Sequence, residues 1–222
     1  MNTPEKIVEC LNKQLNNYKQ SVTQLSKTNK NDFIINDTIM FNWDDVSKLY
    51  DGDDSSSVDA IYCHIQDNTL TLYFFEFKNL NLYDPFFDAK KKLEDIINDL
   101  EKCVFCCCYP KEIRKVKKNL TSKKVISLKT KPVESLILLH NILNEAGISS
   151  EEIVSIKKEY YVVSKTPQSG NKHNWHRKGR NREIFGFIDK IKPFPFIEVD
   201  HLNKETFLSL IEELQINNEI NT

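Results

Sequence analysis

The chain is short of the features that would place it outside the ordinary globular class. No apolar run approaches the roughly 20 residues that a membrane span needs, so no membrane partner is expected. The opening MNTPEKIVECLNKQ has no apolar signal core, which points to an intracellular, cytoplasmic protein. Only five of the 222 residues are glycine, and no Gly/Ser-rich linker or internal repeat divides the sequence. Residues 1–222 therefore read as a single domain. Charge of one sign is also missing. A net charge of −1 excludes a uniformly basic nucleic-acid coat but permits a local basic patch. Hydrophobic residues at 40% and charged residues at 28% suit a folded rather than a disordered chain.

There are six cysteines, four of them crowded into CVFCCC at 103–108, which is not the spacing of a secreted disulfide scaffold. A thiolate metal knuckle is the sharper alternative. If Lys102–Tyr109 is a strand, however, Cys103 and Cys107 point one way and Cys106 and Cys108 the other. Packing is the better account of these residues.

Thr3-Pro4 starts a helix, and apolar residues at helical spacing from Ile7 through Val22 predict that it continues to about Leu25. Phe33–Trp43 reads as a strand broken at Asn36-Asp37, and Asp44–Tyr50 as a helical turn. The acidic loop Asp51–Ser57 lacks the full calcium-loop pattern. Val58–Gln66 and Thr69–Lys78 then form a hairpin across an Asp67-Asn68 turn, two residues that tolerate left-handed backbone. Helices are expected over Asp84–Glu101, Pro132–Glu145 (ended by Gly147) and Lys204–Leu214. Strands are expected over Glu159–Lys165, Ile184–Ile188 and Phe194–Val199. An alternative assignment makes Asp84–Glu101 the core helix and CVFCCC the strand after it.

The hairpin carries the chemistry. Counting outward from the Gln66–Thr69 pair sets Asp59 opposite Glu76, with Cβ atoms about 5 Å apart on one face and Lys78 on the same face. Two facing carboxylates repel, and burying them beside Leu70, Leu72 and Phe74 costs more. A divalent cation with a taste for oxygen ligands, Mg²⁺ or Mn²⁺, removes both penalties. The second strand is apolar on both faces, as a central, doubly covered strand should be. His64 has the wrong parity to join the group.

Asp59 followed by Glu76-Phe77-Lys78 on the next strand resembles the PD-(D/E)XK nuclease superfamily, although Val58 stands where proline is common. The resemblance implies an α/β fold with a central mixed β-sheet flanked by helices, a restriction-endonuclease-like core. That core would span about residues 1–80 and 129–200, with an insertion at about 81–128. It further implies a Mg²⁺-dependent endonuclease or phosphodiesterase acting on DNA or RNA. Asp59, Glu76 and the Phe77 carbonyl would hold the metal, and Lys78 would activate or position water. Glu9 is a weak match to an acidic residue found on the first helix of some members. The alternative is a non-catalytic member of the same fold that binds nucleic acid or a protein.

Phosphate contacts are expected from the basic segment Lys165–Arg182, namely Lys165, Lys172, Arg177, Lys178, Arg180 and Arg182, with Trp175 available for stacking. Lys111–Lys124 is a second basic run. The resemblance adds Lys131, at the start of the core helix and facing the site, and leaves a homodimer open.

Overall fold

The computed structural model describes residues 3–27, 31–51, 56–79, 128–165 and 191–220. Helix α1 (Thr3–Leu15) opens the chain and buries Ile7, Leu11 and Leu15, one residue per turn. It does not continue to Leu25. After a 3₁₀ turn at Asn16–Tyr18 the chain extends as β1 (Lys19–Ser21) and then forms a single helical turn, α2 (Val22–Leu25). The break has a local cause: Ser21 and Gln24 form a reciprocal capping box, which starts a new helix rather than extending the old one. The second cause is tertiary, since β1 pairs antiparallel with β2 (Ile39–Asn42). Helix α3 (Trp43–Asp51) follows directly.

The hairpin of β3 (Ala60–Gln66) and β4 (Thr69–Lys78) has the expected register, from Gln66 opposite Thr69 to Ala60 opposite Phe75. Asp67 and Asn68 both adopt positive φ, at 49° and 59°, which matches the turn twist to the strand twist. Residues 128–145 form helix α4, so the core helix begins before Pro132, where the sequence suggested it would start. Proline inside a helix leaves the carbonyl four residues back without its donor. Here that carbonyl belongs to Leu128, and the Tyr160 hydroxyl donates to it at 3.1 Å. At the other end the Ile148 amide donates to Leu143 O and the Gly147 amide to Asn144 O, with Gly147 at φ 81°. This is a Schellman close, the stop expected from the glycine.

Helix α5 (Ser150–Ser155) leads into β5 (Lys157–Ser164), which lies parallel to β4. Strand β6 (Glu198–Leu202) lies parallel to β5, and α6 (Lys204–Ile220) ends the described chain. Strand β6 starts later than the Phe194–Val199 expectation because residues 192–195 are in a turn. The expected elements at Asp84–Glu101, Lys102–Tyr109 and Ile184–Ile188 lie outside the described residues.

Among the described residues the result is an α/β fold with a six-stranded mixed sheet in the order β1-β2-β3-β4-β5-β6, flanked by helices. Side-chain alternation divides the core in two. Leu72, Phe74, Tyr160 and Val162 face α1, α3, α4 and α5, meeting Leu11, Trp43, Leu139, Ile142 and Ile153. Tyr73, Phe75, Phe77, Tyr161 and Val163 face the other layer, where Phe207, Ile211 and Leu214 of α6 close over them. Phe207 meets Phe75 edge-on with ring centroids 5.2 Å apart, and Phe77 at 5.5 Å. Every residue of β4 from Leu70 to Phe77 is buried, as both faces of the strand anticipate. Among the described residues, no helix is long and apolar enough to cross a membrane.

Candidate functional site

Strand β4 carries one charged residue into the dry middle layer. Glu76 is fully buried on the face shared with Phe74, above α1 and α4. An isolated carboxylate there would cost several kcal/mol in lost hydration. Two ammonium groups compensate it. Lys78, two residues along the same strand, forms an ion pair with Glu76 Oε1. Lys131 Nζ, from α4, lies 2.9 Å from Glu76 Oε1 and donates to Oε2 at 3.2 Å. Oε1 is buried and meets both ammonium groups as ion pairs.

Asp59 precedes β3 and is held at three points. Its carbonyl accepts from the Trp43 amide at 3.1 Å, and its Oδ2 accepts from the Phe77 amide at 2.5 Å. Its Oδ1 lies 3.8 Å from Lys131 Nζ. Because one ammonium nitrogen reaches both carboxylates, they cannot be farther apart than those two contact distances combined. The expected meeting of Asp59, Glu76 and Lys78 on one face is therefore present, and Lys131 joins them.

Exposure increases outward through this group. The Glu76 side chain is 0% exposed, Asp59 16%, Lys131 17% and Lys78 30%. Burial, together with the neighbouring Glu76 charge, raises the Asp59 pKa to about 7, against the pull of Lys78 and Lys131. Burial works against the Lys78 ammonium, but Glu76 and Asp59 outweigh it and hold its pKa above the usual lysine value. Burial, then these same two carboxylates, keep the Tyr160 phenol protonated, so it remains a donor to Leu128.

Sequence reasoning missed two of the supports. Ser135 is buried one helical turn after Lys131 and accepts from the Val58 amide at 2.9 Å. One face of α4 thus both fixes the chain entering Asp59 and extends the ammonium to its carboxylate. The i, i+4 spacing of Lys131 and Ser135 was the available signal. The second support is polar. Ser57 Oγ donates to Asp44 Oδ1 at 2.7 Å and lies 3.0 Å from Ser47 Oγ, tethering the same segment to α3.

One strand further along the sheet, Ser164 and His201 share a buried hydrogen bond of 2.7 Å. Ser164 is registered beside Lys78 on the site face. Burial lowers the His201 pKa to about 4, so the ring is neutral at physiological pH. His64 lies on the opposite face, edge-on to Tyr73 at 6.4 Å, as its parity requires. Glu9 is exposed on α1 and takes no part.

Lys165 is exposed one residue beyond β5. Lys172, Trp175, Arg177, Lys178, Arg180, Arg182, the basic run 111–124 and the cysteines at 103–108 lie outside the described residues. Cys10 and Cys63, which are described, are free thiols, and burial pushes the Cys63 thiol up to about 12.

The donor set fits a hard divalent cation better than a soft one. It offers two carboxylates and the backbone of Phe77 between Glu76 and Lys78. Among the described residues no group of three His, Cys, Asp or Glu side chains converges on one point. Mg²⁺ accommodates such a sparse set because it keeps several waters and binds through one or two carboxylates plus substrate phosphate. No protein-family model, curated protein or solved structure matches the chain.

Proposed function

We propose that the chain is a metal-dependent phosphodiesterase of the PD-(D/E)XK type, acting on nucleic acid. One observation carries the reading. A fully buried glutamate, an aspartate tied to the same strand and a strand-borne lysine share one sheet face, beside a lysine from the following helix. A core position keeps such a costly group only where its chemistry is needed or its partners are fixed.

Asp59 and Glu76, with the Phe77 carbonyl, would hold Mg²⁺ or Mn²⁺. Bound there, the ion would supply a water of lowered pKa and positive charge beside a phosphate. Lys78, more exposed than its neighbours and held as an ammonium by Glu76, is placed to orient the attacking water and neutralise charge developing on the phosphate oxygens. Burial of Glu76 among Phe74, Tyr160 and Val162 keeps the inner side of the site free of competing water. Lys165 and the basic segment after it would follow the nucleic-acid backbone.

A second reading, a non-catalytic member of the same fold, has one observation on its side. Lys78 and Lys131 already balance Asp59 and Glu76 without any added ion.

The test is calorimetric titration with Mn²⁺ alongside cleavage of single- and double-stranded DNA and RNA. Under the nuclease reading the wild type binds Mn²⁺ and cleaves at least one substrate. Glu76→Gln loses both properties, and Lys78→Met loses cleavage while retaining metal. Absence of Mn²⁺ binding by the wild type would overturn the reading in favour of the non-catalytic one.

A further inference from the structure

Lys131 occupies an unusual position for a residue expected to meet phosphate. Its Nζ lies 2.9 and 3.2 Å from the two oxygens of Glu76 and 3.8 Å from Asp59 Oδ1. An ammonium that touches carboxylates from both strands of the hairpin does the electrostatic work a bound cation would do there. Lys78 is placed differently. It pairs with Glu76, along its own strand, so it can remain beside the site when the space between the carboxylates changes hands.

Nor is Lys131 there by chance of a long side chain. Helix α4 is pinned on either side of it, by Tyr160 on Leu128 and by Ser135 on Val58. Its side chain is only 17% exposed, so the ammonium rests on the carboxylates rather than in bulk water. Net charge leads to the same conclusion. Among the described contacts, two ammonium groups face the two carboxylates, with Asp44 the next negative charge. An ion entering with both lysines in place would meet carboxylates already paired with cations.

We propose that Lys131 is an internal counter-ion that holds Asp59 and Glu76 together in the absence of metal and must withdraw when a divalent cation binds between them. This inference rests on the metal-binding reading above and adds a device to it: loading the ion and releasing the Lys131 ammonium are one event. The withdrawn ammonium would then be free to meet a substrate phosphate, which reconciles its present contacts with a role in nucleic-acid binding. It also accounts for a site that balances its charges without an ion and still keeps both carboxylates.

Titrate Mn²⁺ at pH 8 into the wild type, Lys131→Met and Lys131→Arg, and measure melting temperature with and without the ion. Removing a competitor that makes charge-assisted contacts tightens Mn²⁺ binding in Lys131→Met by roughly tenfold. The ion-free variant melts lower than the wild type, and Mn²⁺ raises its melting temperature by more. Lys131→Arg keeps the competing charge and binds within about threefold of the wild type. Equal or weaker binding by Lys131→Met, with the wild type still binding, overturns the counter-ion proposal and leaves the metal site standing. If no form binds Mn²⁺, the metal reading itself fails and the proposal with it. Should Lys131→Met not fold, NMR of the lysine side-chain ammonium groups in the wild type decides, with Lys131→Arg assigning the signal. A Lys131 resonance that shifts and exchanges faster on saturation with Mg²⁺ supports withdrawal, and an unmoved one overturns it.

Discussion

The backbone amide of Phe77 donates to the Asp59 side chain at 2.5 Å, so the hairpin continues one rung past its last paired residues, Ala60 and Phe75, through a carboxylate. The Asp59 carbonyl is meanwhile used by Trp43 at the start of α3. A single residue therefore joins β4 to α3 and brings its remaining oxygen to Lys131. This explains why an acidic residue stands at a position otherwise suited to an apolar one.

Asp59→Ala removes the acceptor for a buried amide and is expected to cost about 1–3 kcal/mol in urea unfolding. Asp59→Asn keeps an acceptor for that amide and removes a charge facing Glu76. Its metal-free stability at pH 8 should therefore equal or exceed that of the wild type. Both variants should lose Mn²⁺ binding in calorimetry, which separates the structural part of the residue from the ligand part.

The raised Asp59 pKa gives a pH signature. The fold keeps a proton on this carboxyl up to about 7, whereas the unfolded chain releases it near 3.8. The corresponding stability is fully present below about pH 4 and is lost as pH rises through 7. Subtracting the Asp59→Asn curve from the wild-type curve, both metal-free, isolates this group from the histidines. The difference should become less favourable to the wild type across that window, and Mn²⁺ binding should strengthen over the same range.

Among the described residues, two hydrogen bonds reach helix α4 from beside the site, and each can be removed without replacing a proposed ligand. Ser135→Ala leaves the Val58 amide without its acceptor, and Tyr160→Phe leaves the Leu128 carbonyl without the phenol. Each is expected to lower stability by about 1–3 kcal/mol and to weaken Mn²⁺ binding, although neither residue is proposed as a ligand. Lost stability with unchanged Mn²⁺ affinity would show that the two pins do not position the site.

The turn sets the hairpin register and through it the site. Asn68 has φ 59°, a conformation that costs a β-branched residue about 1–2 kcal/mol. Asn68→Val should lower the urea midpoint accordingly and Asn68→Gly should leave it nearly unchanged. The Val variant should also bind Mn²⁺ more weakly if register slip separates Asp59 from Glu76.

The sequence by itself determined the part of the site that is local. Asp67-Asn68 dictates a two-residue turn, the turn dictates the register, and strict alternation then places Asp59, Glu76 and Lys78 on one face and His64 on the other. The stop at Gly147 and the burial of β4 on both faces were equally readable, because each follows from neighbours a few residues away. Tertiary structure decided the rest. The break after Leu15 needs β2 as a partner for β1, and tolerance of Pro132 inside α4 needs the hydroxyl of Tyr160, 32 residues from Leu128. Ser135 reaches Val58 across 77 residues, and Lys131 reaches Glu76 across 55. Periodicity says which face a side chain takes; which distant group comes to cover that face depends on how whole elements pack.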